Sequence, residues 1–121
     1  MTIKVAVVDD QEIVRAGFAA LLGTQQDFRV VGTAADGEEA VELCRTKRPH
    51  VVLMDVRMPK MDGIRATQAL HAQQPGIPVV LWSGESEVGG AAAVAGADAG
   101  LCKGTCTSDL VATLRRICAV G

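Results

Sequence analysis

Polar residues recur in this chain at one kind of place, just past the end of a short apolar run. IKVAVV at 3–8 is followed by Asp9 and Asp10, VVLM at 51–54 by Asp55, IPVVLW at 77–82 by Ser83, and a brief run at 100–102 by Lys103. In open α/β sheets, ligands sit in the crevice outside the carboxyl ends of the strands, so groups placed there are available for chemistry rather than packing. Three carboxylates in one crevice repel. At about 5 Å and an effective dielectric of about 20, each pair costs on the order of 3 kcal/mol unless a cation intervenes. An all-oxygen acidic site suits Mg²⁺, and Lys103 brings a second positive charge. Cations and a hydroxyl around one carboxylate make a site able to accept a phosphoryl group, with the carboxylate as nucleophile and the cations neutralising the phosphoryl oxygens.

The elements that must position these groups follow from periodicity and turn chemistry. Residues 3–8 read as a strand, and Gln11 to Leu22 as a helix with Ile13, Val14, Phe18, Leu21 and Leu22 inward and Gly23 as its stop. Phe28 to Ala34 is a second strand; Asp36 and Glu39 form a D-x-x-E start for a helix that Pro49 closes. VVLM is a strand buried on both faces with Asp55 at its carboxyl end, and Pro59, Asp62 and Gly63 supply the turn into a third helix, about 64–73. The fourth strand ends at Trp82. The Ala-rich stretch 85–96, with Gly89 and Gly90 adjacent, predicts a short or late-starting helix. A fifth strand, 100–102, leads to a final helix capped by Thr107 or Ser108, with Leu110, Val111, Leu114, Ile117 and Cys118 on one face. Alternating strands and helices predict a doubly wound five-stranded parallel sheet, and the order 2-1-3-4-5 makes neighbours of strands 1, 3, 4 and 5. Strand two, at the edge, delivers no comparable group.

With 121 residues, no repeat and no linker, the sequence is expected to be one domain, 1–121, with no DNA-binding domain of its own. The formal charge of -2 and the absence of a basic run argue against direct nucleic-acid binding. No apolar run approaches the roughly 20 residues of a membrane helix and no charged leader precedes one, so a cytoplasmic chain with no membrane contact is expected. Cys44, Cys102, Cys106 and Cys118 contain no C-x-x-C pair and lie far from His50 and His71, which favours reduced thiols over zinc. Cys102 is expected to pack within the fifth strand and Cys106 to be the more exposed.

VVDD at 7–10, VVLMDVRMPKMDG at 51–63, the hydroxyl after strand four and the lysine after strand five resemble the receiver domain of two-component response regulators, with its flavodoxin-like (βα)5 fold. IVRAGFAALL and VVGTAADGEEAVEL are similar to the NarL/FixJ group, whose members usually carry a LuxR-type helix-turn-helix behind the receiver. The resemblance implies that Asp55 accepts a phosphoryl group from the phosphohistidine of a sensor histidine kinase. It also implies that Asp10 binds Mg²⁺ directly, Asp9 largely through water, and the backbone carbonyl of Arg57 as a further ligand, with Asp55 completing the protein's share. Ser83 would hydrogen-bond one phosphoryl oxygen and Lys103 would pair with another. A homodimer through the first and last helices, or through the fourth and last, is the family's expectation, and DNA would be reached only through a missing C-terminal domain. Such a receiver turns over its own aspartyl phosphate and is not a dedicated enzyme.

The sequence also departs from the family. Gly100 stands three positions before the lysine, where the family usually has an aromatic residue that rotates on activation. The interval from Ser83 to Lys103 is about two residues short, and Gly104 replaces a common proline. Gly100 supports an alternative, a degenerate receiver that works as a phosphorylation-independent interaction module. A haloacid-dehalogenase-like phosphatase would need an acid where Arg57 stands, and a flavodoxin would need a hydroxyl-rich loop where Asp9 and Asp10 repel phosphate. Taken singly, Asp55 is a common turn former, the Asp9–Asp10 pair a helix cap, Ser83 a turn serine and Lys103 a solvated lysine; Arg57 and Glu85 are either unrelated surface charges or a pair across the site's mouth.

Overall fold

Each apolar run becomes a strand because helices cover both of its sides. In the computed structural model, which describes residues 2–83, 95–102 and 107–118, the five strands are β1 (Ile3–Val8), β2 (Phe28–Ala34), β3 (Val51–Asp55), β4 (Val79–Ser83) and β5 (Ala99–Cys102). They form one parallel sheet in the order β2-β1-β3-β4-β5, the flavodoxin-like arrangement expected from the sequence. The described helices are α1 (Glu12–Gly23), α2 (Gly37–Lys47), α3 (Gly63–Gln73) and α4 (Thr107–Cys118). The helix expected over 85–96 lies almost wholly outside the described residues, as do Lys103, Cys106 and Glu85.

Two apolar layers sandwich the sheet. Alternate residues of β1, β3 and β4, among them Val8, Met54 and Leu81, pack on one side with Ala40 and Cys44 of α2 and Leu70 of α3. Val7, Leu53 and Val80 pack on the other with Leu22 of α1 and Leu114 of α4. Every residue of β3 is buried, the central place that a continuous apolar run indicates.

Three expectations need correction. Ile13 is 81% exposed, because α1 turns only its later positions toward the sheet and Leu22 is its fully buried residue. Cys102 is exposed, because β5 is an edge strand with no partner beyond it among the described residues. Thr107 and Ser108 both lie within α4, so neither is the cap of that helix.

Candidate functional site at the strand ends

Register brings the acids together. Val8 of β1 pairs with Met54 of β3, so Asp9 and Asp55 leave adjacent strands at the same level. One carboxylate oxygen from each of Asp9, Asp10 and Asp55 lies within 4.8 Å of the others. Asp9 is fully buried and Asp55 4% exposed, whereas Asp10 faces solvent. The acids therefore form a half-open cluster with its most accessible member at the mouth.

Backbone and side-chain hydrogen bonds hold Asp9 and Asp55 in place. The Asp9 amide donates to the Ala34 carbonyl at 3.0 Å, which ties it to the end of β2. Its Oδ1 accepts the Gln11 amide at 2.9 Å, and Arg15 Nη1 reaches back from α1 to the Asp9 carbonyl at 2.8 Å. Asp9 thus orders the turn into α1 without acting as its cap, a position that Gln11 fills with no side-chain bond. Oδ1 of Asp55 accepts the Arg57 amide at 3.3 Å, while the Val56 amide donates to the Trp82 carbonyl at 3.1 Å.

Gly63 is required by a close approach. A Cβ there would collide with the Asp55 carbonyl oxygen, and the Gly63 amide donates to Val56 O at 2.7 Å. The start of α3 is therefore folded directly against the strand end that carries the central acid. Asp62 caps α3 through the Arg65 amide at 2.9 Å.

Ser83 ends β4, the strand beside β3, and is 4% exposed. Its neighbour Trp82 is the register partner of Asp55 and meets Phe18 of α1 edge-on, with ring centroids 4.4 Å apart. Asp9, Asp10 and Asp55 are brought together, Arg57 is joined to Asp55 through its amide, and Ser83 closes the neighbouring strand. Lys103 lies outside the described residues.

The edge strand β2 contributes more than the sequence reading allowed. Just beyond it Asp36, 4% exposed, caps α2 by accepting the Glu39 amide at 2.9 Å, and its second oxygen faces Lys60 Nζ at 3.6 Å. The Glu39 amide first, and then the Lys60 ammonium, hold the Asp36 carboxyl below the usual carboxylate range against the opposing effect of burial. The D-x-x-E pattern revealed the cap; no local signal in the sequence reports the second partner.

Hard oxygen donors at this density fit Mg²⁺. The 4.8 Å spread compares with about 4.2 Å across an octahedron built from bonds of about 2.1 Å, so small side-chain rotations or one bridging water suffice for ligation.

The response regulator receiver domain family matches residues 5–115. The response regulator protein VraR of Staphylococcus aureus is 38% identical over 118 residues, covering 96% of this chain and 56% of that protein. A two-component response regulator of the LuxR family from Aurantimonas superposes with a TM-score of 0.92 at 30% identity, over 98% of this chain and 86% of that one. The signal receiver domain of NarL from Mycobacterium tuberculosis does so with a TM-score of 0.90 at 30% identity, over 99% and 98%. The chain spans about half or less of the length of the curated relatives it matches. Strand order, the acidic cluster and these relatives agree, and the chain belongs to the response regulator receiver domain family, in its NarL and LuxR group.

Proposed function

We propose that this receiver is an active phosphoacceptor, with Asp55 as the group that carries the phosphoryl. The observation that carries the reading is the convergence of Asp9, Asp10 and Asp55 at adjacent strand ends. An Asp55 carboxylate oxygen attacks phosphorus of a phosphohistidine on a sensor histidine kinase; the new O–P bond forms as the P–N bond breaks, and the imidazole leaves with the electron pair. Bound Mg²⁺ supplies charge neutralisation for the transferring phosphoryl oxygens. Asp10 and Asp55 would hold it directly, Asp9 largely through water, and the Arg57 carbonyl would complete the protein's ligands. The Arg57 amide at Asp55 Oδ1 orients the carboxylate for attack. The Ser83 hydroxyl donates to one phosphoryl oxygen, and Lys103 pairs with another. The product carries about two negative charges at the mouth of a packed site, enough to rearrange the loops around it. The output passes to a DNA-binding segment of LuxR type beyond the receiver, in the cytoplasm where such kinases act.

Acetyl phosphate is the test donor. With Mg²⁺ the parent is expected to gain the mass of one phosphoryl group, and Asp55→Asn to gain none. Equal labelling of both, or of neither, contradicts the reading. One observation favours a second reading, a phosphorylation-independent interaction module: Gly100 lies within β5, so the strand has no side chain at the family's rotor position. That reading predicts a parent that binds neither Mg²⁺ nor beryllofluoride.

A further inference from the structure

The loop that follows Asp55 contains a strained turn. Lys60 has φ of +64°, a region that costs a residue with a Cβ on the order of 1 kcal/mol or more. The Met61 amide donates to the Pro59 carbonyl at 2.7 Å, closing a three-residue γ-turn with Lys60 at its centre. Positive φ at the centre of such a turn marks its rare, strained form. Something outside the turn has to hold it.

Two contacts from the β2–α2 corner meet this loop. Lys60 Nζ lies 3.6 Å from Asp36 Oδ2, while the other oxygen of the same carboxylate is engaged by the Glu39 amide. Gly37, the first residue of α2, admits the loop so closely that a Cβ there would stand 2.6 Å from the Met61 carbonyl oxygen. The corner is itself braced, since Glu39 Oε1 accepts the Ala35 amide at 3.2 Å and Ala34 O accepts the Asp9 amide. One short segment, 34–37, thus grips Asp9 on one side and the loop bearing Arg57 on the other. Lys60 itself is 63% exposed at its side chain, but the Asp36 side chain is only 6% exposed, so the carboxylate end of the pair is fixed.

We propose that Asp36 is a positioning residue of the phosphoacceptor site, latching the loop after Asp55 in its strained turn through Lys60. The proposal rests on the phosphoacceptor reading for its consequence but not for its geometry. The strain explains why a latch is needed: without the carboxylate, the turn at Lys60 relaxes toward negative φ and shifts Met61, and with it the segment back to Arg57, whose amide donates to Asp55 Oδ1. β2, the strand that brings no group to the site, acts on it from the side.

The test is a double-mutant cycle read by two measurements on the whole chain. Asp36→Asn keeps the cap to Glu39 and removes the charge; Lys60→Met removes the charge and keeps the strain; Lys60→Gly removes both. Hydrogen exchange at the Met61 amide, corrected for the intrinsic rate of each sequence, is expected to rise about 3- to 5-fold in Asp36→Asn and in Lys60→Met, and no further in the double variant. Lys60→Gly is expected to exchange as the parent does, because glycine accepts positive φ at no cost. Phosphorylation by acetyl phosphate should slow about 3-fold in the first two variants and stay at the parent rate in Lys60→Gly. Unchanged exchange in Asp36→Asn, or additive effects in the double variant, overturns the latch. If exchange behaves as expected but the parent takes up no phosphoryl group, the latch stands and the phosphoacceptor reading fails.

Discussion

The centre of the sheet and its β5 edge are built to different standards. In β3 every residue is buried, its carboxyl end is gripped by amides from Arg57 and Gly63, and the neighbouring strand supplies Asp9 in register. In β5 no residue is fully buried, Gly100 offers no side chain and Cys102 is exposed. The difference teaches where this fold can vary. The phosphoacceptor chemistry proposed for this site would depend on carboxylates held against a close-packed wall, so the centre is expected to tolerate little change. At the edge, β5 carries Gly100 and an exposed Cys102, and none of its residues is held in this way.

The largest effect expected from this contrast is on stability. Leu53→Ala, in a fully buried position of β3, is expected to cost about 3–4 kcal/mol in urea unfolding, and Leu101→Ala in half-buried β5 about 1 kcal/mol. Equal costs would erase the distinction between centre and edge. A somewhat smaller effect concerns the acids. Mg²⁺ at about a hundred times its dissociation constant is expected to stabilise the parent by about 2.7 kcal/mol, an increment that a chelator removes. Asp10→Asn is expected to raise stability without Mg²⁺, since it relieves repulsion among carboxylates within 4.8 Å, and to lose most of the Mg²⁺ increment. Trp82, the only tryptophan and the register partner of Asp55, gives a fluorescence readout of the same titration. A variant that gains as much from Mg²⁺ as the parent would remove Asp10 from the site.

The smallest effect is chemical. Burial pushes the Cys44 thiol up to about 11, whereas Cys102 is exposed at the edge. A maleimide pulse on the native protein is expected to label Cys102 and leave Cys44 unmodified until unfolding, because the thiolate is the reactive form. Labelling of Cys44 at the rate of Cys102 would mean that the α2 side of the core opens as readily as the edge.

What could be read from the sequence follows the same division. Strands at the centre announce themselves, since burial on both faces forces an unbroken apolar run such as VVLM, and an acid ending such a run is conspicuous. The strand-end positions of Asp9, Asp10, Asp55 and Ser83 were legible for that reason. Side-chain exposure on α1 was less so: Ile13 fits the helical period but sits too near the N-terminus to reach the sheet. Cys102 was misplaced because a four-residue run carries no sign of whether another strand lies beyond it. The pairing of Asp36 with Lys60 was invisible, since the residues are 24 positions apart and lysine gives no warning of positive φ. Local pattern reports local structure, and contacts between loops have to be seen in three dimensions.

The central claim is that Asp55 takes the phosphoryl group because the acids beside it hold Mg²⁺. Borohydride reduction, which converts an aspartyl phosphate to homoserine, followed by peptide mapping tests it directly after treatment with acetyl phosphate. Homoserine at position 55 in the presence of Mg²⁺, and none after chelation, is the result predicted here. Homoserine at another aspartate, or at position 55 regardless of Mg²⁺, would contradict the account.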